Sequence, residues 1–464
     1  MSLRPLRLSQ LIRKIRRGTK PKSREKSGEN MKKGKGLSER SLGYLLILPA
    51  MLLILVIAIY PVGRSFYLSL YDVRLNDPTK LEPHASYGIN VERYANVMPF
   101  LVSSLDHEIE KAEGKHKKRL KDIKQDVLKA RSTLESDEEL ADTYQQVNQI
   151  LNEGKKVPQN MKSVHLDEEK VHNATQLITG VKKDLESMEK AEQLDESRQV
   201  VGLAKGLLSA FIEPNFVGLQ YYANYFQDHR MWASLSNTMI FTVISVSLEL
   251  VLGMAIALLI NRQFFGRGLV RASVLIPWAL PTAVAALMWK FLFDGQNGVM
   301  AKLFTEVGLI PDMGTLLTTK FWSMFAVIFA DVWKTTPFMA LLILAGLQTI
   351  PKNLYEAAEV DGASKVQQFF KITLPMLRTT VLVALLFRLL DAFRVFDLIY
   401  VLTGGGPANA TETISVYAYK TMFSQMNFGE GSALAVIVFI CIAIISMIFV
   451  KLLGRDLISD GSGK

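Results

Sequence analysis

Eight ionisable residues, Glu249, Lys290, Asp331, Lys334, Arg388, Asp391, Arg394 and Asp397, sit inside stretches otherwise apolar enough to cross a membrane. A charge so placed costs of order a few kcal/mol, so each is a functional hypothesis unless a neighbour neutralises it. Asp331 and Lys334 are three residues apart, as are Arg388 and Asp391, and Arg394 and Asp397 repeat the spacing; on a helix such pairs share a face. Two readings stay open for each pair. One is a structural salt bridge. The other is a wall of a polar cavity near mid-membrane, joined by Thr335 and Thr336, with Pro337 freeing backbone groups and Val395 on the face of Arg388 and Asp391. Carboxylates and arginine hold neutral sugars by planar hydrogen bonds while an aromatic face stacks on the ring. Pro277-Trp278-Ala279-Leu280-Pro281-Thr282 offers that face, and its two prolines bend the helix toward a lumen.

Other chemistries lack their residues. No GxxxxGK[ST] run follows a strand, and the Gly461-Ser462-Gly463-Lys464 end is an accidental partial match, so ATP binding by that route is excluded. His84, His107, His116, His165, His172 and His229 show no metal-ligand spacing, and no nucleophile motif is present. Neither an enzyme nor a metal site is expected.

The elements that must carry these residues follow from composition. Of 464 residues, 49% are hydrophobic and 21% charged, which points to a membrane protein with a polar insert. Residues 1–40 hold 14 Lys/Arg against 3 Asp/Glu, more than the whole formal charge of +10, so the basic balance marks a cytoplasmic tail rather than nucleic-acid binding. Attraction of that tail to anionic lipid is a second use. It has no apolar core before Ser41 and no cleavage-site pattern, against a removable signal peptide, and Met31 is a second candidate start. The lone Cys441 permits no internal disulfide. Six stretches, 42–66, 235–260, 269–293, 321–347, 377–402 and 433–453, have about the 20 residues a span needs. Arg262, Arg267 and Arg271 place one loop in the cytoplasm, and Lys352, Lys365, Lys371 and Arg378 another. Both termini then lie inside and residues 72–213 outside.

That insert is charged but patterned. Leu120, Ile123, Val127, Ala130 and Leu134 step by three and four, as do Ala174, Ile178, Val181, Leu185 and Met188, with Gly154 and Pro158 between. The pattern predicts an antiparallel helical hairpin. It reads equally as a docking surface for an external solute-binding protein and as a rigid insertion.

The polar island 354–375, LYEAAEVDGASKVQQFFKITLP, predicts two short helices joined at Asp361-Gly362, the second capped by Ser364 and stopped at Leu374-Pro375. Its apolar face is too small to fold alone. Glu356-Ala357-Ala358, Gly362, Ile372 and Leu374-Pro375 resemble the EAA loop of ABC importer permeases. Asn215 to Tyr222 resembles the stretch preceding the shared spans in sugar permeases, and DAFRVFDLIYVLTGGGP with the following ANATET resembles the larger, MalF-like permease of oligosaccharide importers. Trp333-Lys334 and Pro337 extend the match to roughly residues 215–454.

The resemblance implies an all-α membrane protein of type I ABC importer permease fold, with six transmembrane helices and an extracytoplasmic helical-hairpin insertion. The implied division is a basic tail 1–40, a first helix 41–71, the insertion 72–213 and a permease core 214–464 with its coupling loop at 351–376. It further implies multi-pass residence in a bacterial cytoplasmic membrane, amid lipid. The implied partners are a second permease subunit, two copies of an ATPase that bind ATP and magnesium, and an external solute-binding protein. Tyr355, Glu356, Ala357, Ala358, Asp361 and Gly362 would couple to the ATPase. Trp278, Thr282, Asp331, Lys334, Thr335, Thr336, Arg388, Asp391 and Val395 fall where the family holds its sugar, a maltodextrin-like oligosaccharide. Several are charged where the family is neutral, which admits a charged sugar derivative such as a uronate oligosaccharide or a glycerophosphate-type solute. The chain also departs in having six spans rather than eight and its insert after the first. Two rivals are a receptor with a helical sensor, for which no cytoplasmic output segment is long enough, and an ATP-independent channel or secondary transporter, which has no use for a docking knob.

Overall fold

The computed structural model describes residues 39–461, with side chains from 44 to 452, so the basic tail lies almost wholly outside the described residues. Two compact units are distinguished, one ending at Tyr60 and one beginning at Pro61. In the first, helix α1 (Glu39–Ile54) continues through a π turn, Leu55–Ile59. The chain stays helical through α2 (Tyr60–Leu68), and Tyr44–Leu68 is long and apolar enough to span a membrane.

The second unit opens with the insert. A strand β1 (Gly88–Asn90) precedes helices α3 (Val91–Lys111), α4 (Gly114–Glu135) and α5 (Glu138–Asn152). Strand β2 (Ser163–His165), helices α6 (Glu168–Lys190) and α7 (Ser197–Leu208) and strand β3 (Phe211–Ile212) complete it. The two patterned arms are α4 and α6, and their stepped residues are buried. Arg119 near the start of α4 meets Asp184 and Ser187 near the end of α6, and Asp137 just past α4 meets Lys170 near the start of α6, so the arms run antiparallel.

A bare hairpin, however, is too simple. The arms share one core with α3, which buries Tyr94, Met98, Leu101 and Leu105, and with α7, which buries Val200, Ala204 and Leu207. A three-stranded antiparallel sheet, ordered β2-β1-β3 with Ile89 opposite Val164 and Phe211, closes the base. Two amphipathic arms alone close only the seam between them; α3, α5 and α7 add their own apolar stripes to that seam and complete the core. The root is tied by Asp72, which accepts from Arg74 at 2.7 Å, Lys80 at 2.6 Å and the Tyr221 hydroxyl at 2.8 Å.

The membrane core follows. Helix α8 (Gln220–Gln227) leads into α9 (His229–Asn261), then α10 (Arg267–Ala279) and α11 (Thr282–Leu292). After α12 (Val299–Glu306) comes α13 (Lys320–Leu347). Helix α14 (Lys352–Val360) and α15 (Lys365–Gln368) form the knob, followed by α16 (Arg378–Phe393), α17 (Asp397–Leu402), α18 (Ile414–Tyr419) and α19 (Phe428–Gly461).

The bend expected at the prolines of the third stretch is present as a 90° break between two helices, because Leu280 and Pro281 are extended and Pro281 cannot continue the hydrogen-bond ladder. Two expectations change. The fifth stretch does not reach 402: α16 ends at Phe393, where Arg394 turns back on Asp391. The knob's second helix passes Pro375 to Met376, its missing donor absorbed by a π turn over Phe369–Thr373. Among the described residues there are four continuous candidate spans, or six if each bent pair crosses once. Helices α9 and α13 pack tightly at Gly253, where an added Cβ would stand 2.8 Å from Met339 Cγ.

Candidate functional site

The line of polar residues along α9 sets the site's position. Ser234, Thr238, Thr242, Ser245 and Glu249 recur by three and four, and all are buried. Glu249, wholly buried, meets α16: Arg388 donates through Nε to Oε2 at 2.5 Å and through Nη2 to Oε1 at 2.8 Å. The same guanidinium reaches Asp331 of α13 at 3.1 Å and Asp391 at 2.7 Å. One arginine therefore neutralises carboxylates from three elements, the fork geometry that suits guanidinium and not ammonium. Thr335 Oγ1 lies 2.6 Å from both Glu249 Oε1 and the Asp331 carbonyl, so its single proton serves one of two acceptors.

This changes the expected pairing. Arg388 and Asp391 do pair, but Arg394 bonds Asp391 at 3.4 Å rather than Asp397. Asp331 is taken by Arg388. Lys334 is consequently left with no hydrogen bond or ion pair among the described residues, although it is 8% exposed.

Lys334 opens on a polar chamber of about 390 Å³ between the α10–α11 break, α13 and the end of α16. Trp278, Thr282, Asp331, Lys334, Thr335, Arg388, Asp391 and Val395 all line it. Thr336 does not: its hydroxyl donates to the Val332 carbonyl at 2.6 Å and it is buried in the helix packing. Trp278 stacks one face on Phe338, centroids 5.6 Å apart, and stays 45% exposed. Phe396 and Asp397 join the wall. Asp397 follows the helix break, which span-length counting hides; Glu249 was visible as one acid in an apolar run, but nothing local tied it to Arg388, 139 positions away. A larger groove of about 780 Å³ between α9 and α13 is almost wholly apolar, with Asn237 and Lys320 its polar side chains.

Residues 249–459 match the family of binding-protein-dependent transport system inner membrane components. Over 239 residues the chain is 44% identical to the trehalose/maltose transport system permease protein MalF of Thermococcus litoralis, covering 52% of this chain and 80% of that protein. The chain belongs to this family. It is also 45% identical over 239 residues to the trehalose transport system permease protein SugA of Mycobacterium tuberculosis, covering 52% of this chain and 75% of that one. To the sulfoquinovosyl glycerol transport system permease protein SmoG of Agrobacterium fabrum it is 39% identical over 246 residues, 53% and 79% of the two chains. This inner-membrane component is a transport permease, not an enzyme. The matched segment begins at the buried acid of the Arg388 clamp and leaves the helical insert outside it.

The permease presents a second feature in its knob. Gly362 has φ of +77° and ends the first short helix; Ser364 and Gln367 form a capping box on the second. Tyr355 is pinned inward by its hydroxyl to Thr373 at 2.9 Å. Glu356, Ala357, Asp361 and Gly362 are exposed and Ala358 is half-buried, while Val360, Val366 and Phe370 are 88%, 66% and 61% exposed. Lys365 pairs with Glu359 across the turn and holds that carboxyl below its ordinary value.

Proposed function

We propose that this permease carries a sugar through the chamber at Lys334 and Asp391, in an ATP-driven importer completed by a second permease subunit, two ATPase copies and an external solute-binding protein. The observation that carries the reading is the chamber itself. Its volume falls in the range of about 300–1,000 Å³ used by small-molecule sites, and its polar lining is preorganised. Because Arg388 holds Asp331 and Asp391, those carboxylates are fixed before solute arrives, so little of their ordering cost falls on binding. The half-open face of Trp278 suits a sugar ring. The names of the relatives, which transport trehalose, maltose or sulfoquinovosyl glycerol, support a di- or oligosaccharide such as a maltodextrin. A charged sugar is the second reading, favoured by the uncommitted cation of Lys334.

The exposed apolar face of residues 354–370 is the proposed ATPase contact, with ATP and magnesium bound by the partner. In this reading the knob and both termini lie in the cytoplasm, and the insert 72–213 stands outside as a platform for the binding protein. Division at 40, 71 and 213 follows from that topology. Reconstituting the assembled complex and measuring ATP hydrolysis with binding protein and a panel of neutral and anionic glycans tests the reading. Stimulation by a sugar-loaded binding protein supports it; hydrolysis indifferent to every sugar overturns the substrate class.

A further inference from the structure

We infer that the junction of α9 and α10, residues 260–271, is a binding site for the phosphate headgroup of an anionic phospholipid. Helix α9 ends at Asn261, and Gly266, with φ of +81°, lets the chain reverse into α10 within five residues. The reversal gathers three arginines. Arg267 Nε donates to the Ile260 carbonyl at 2.9 Å, and Arg271 Nη2 donates to the same oxygen at 3.2 Å. One edge of each guanidinium is thereby fixed, and the rest is left to a ligand. Among the described residues Arg271 Nε is buried and has no partner, and Arg262 is exposed with no side-chain bond.

None of the three is in an ion pair among the described residues, and the chain has no Asp or Glu between Glu249 and Asp294 to supply one. A buried orphan donor beside uncompensated cations calls for a multivalent anion with several acceptor oxygens, and guanidinium matches phosphate.

Apolar neighbours choose the source. Phe265 is fully exposed, Leu269 is 76% exposed and Phe264 40%. Side chains of that kind at a turn between spans lie at the level of lipid headgroups, with rings in the acyl boundary and arginines among phosphates. A free phosphate would leave those rings in water. A phospholipid satisfies both halves of the surface.

The test uses the assembled transporter in nanodiscs of phosphatidylcholine with phosphatidylglycerol, followed by native mass spectrometry of retained lipid. Wild type is expected to keep phosphatidylglycerol in preference to phosphatidylcholine. Arg262→Gln, which removes no structural bond, is expected to lower that retention roughly fivefold, the factor equivalent to about 1 kcal/mol per basic residue at an anionic surface. Arg262→Gln with Arg271→Gln lowers it further while the ATPase still copurifies. Equal retention of the two lipids overturns the site. So does displacement by inorganic phosphate alone, or a double variant that sheds its ATPase while keeping its phosphatidylglycerol.

Discussion

Arg388 holds both carboxylate oxygens of Glu249, at 2.5 and 2.8 Å, with both side chains almost wholly buried. The pair ties α16 to α9, and through Asp331 and Thr335 to α13, so the two chamber-lining helices and α9 behind them share one electrostatic knot. Its members are not equivalent. Arg388→Met strands the two buried carboxylates, Glu249 and Asp331, and should cost about 3–5 kcal/mol, whereas Glu249→Gln leaves the arginine two partners and should cost about 1–3 kcal/mol. Thermal unfolding of the purified variants checks the order; equal losses would show that the knot is not centred on the arginine.

Lys334 behaves differently because nothing in the fold depends on its charge. Lys334→Met should leave stability within about 0.5 kcal/mol of wild type. If the ammonium meets solute, the concentration for half-maximal uptake in proteoliposomes rises about tenfold, one charge-assisted hydrogen bond. Unchanged uptake would remove Lys334 from the solute's path.

At the knob, space around Gly362 is open, so substitution acts through the backbone and not by a clash. Gly362→Ala forces a side chain into the left-handed region at about 1–2 kcal/mol and should weaken coupling without abolishing it. Val366→Asp, on the exposed apolar face, should leave the melting temperature unchanged and lower the ATPase copurified with the permease several-fold. Full recovery of ATPase would mean that the face docks elsewhere.

The root of the insert should loosen in acid. Burial pushes the Asp72 carboxyl up, but the hydrogen bonds from Lys80, Arg74 and Tyr221 outweigh it and hold it below its ordinary value of 3.8. A depressed carboxyl stabilises the fold fully above the unfolded value and loses that contribution as pH falls through the folded one. Amide exchange at residues 72–80 and 215–221 should therefore accelerate below about pH 4, and Asp72→Asn should exchange fast even at neutral pH. A variant as protected as wild type would refute the role.

Much of this was legible in residue order, and the limits have physical causes. The knob's turn and cap are local: Gly362, Ser364 and Gln367 dictate them within six positions. The arms of the insert are visible because period and burial coincide at Leu120 to Leu134; Tyr94, Met98, Leu101 and Leu105 carry the same period, and a hairpin of two arms omits the stripe they add to a five-helix core. The i, i+3 charge spacing suggested pairs within one helix. Arg388 keeps its i, i+3 pair with Asp391 but adds Glu249 and Asp331 from other helices, because a buried acid without a partner is costly, and no spacing rule sees across 139 residues. The break at Arg394 escaped because apolar composition continues through Leu402.

The central claim is that solute crosses through the chamber bounded by Trp278, Lys334 and Asp391 while the knob engages an ATPase. An experimental structure of the assembled transporter, held with a non-hydrolysable ATP analogue and its sugar, tests both parts at once. The account predicts sugar density against Lys334 and Asp391 and an ATPase surface over Val366 and Phe370. Sugar lodged elsewhere, with that chamber closed by side chains, would contradict it.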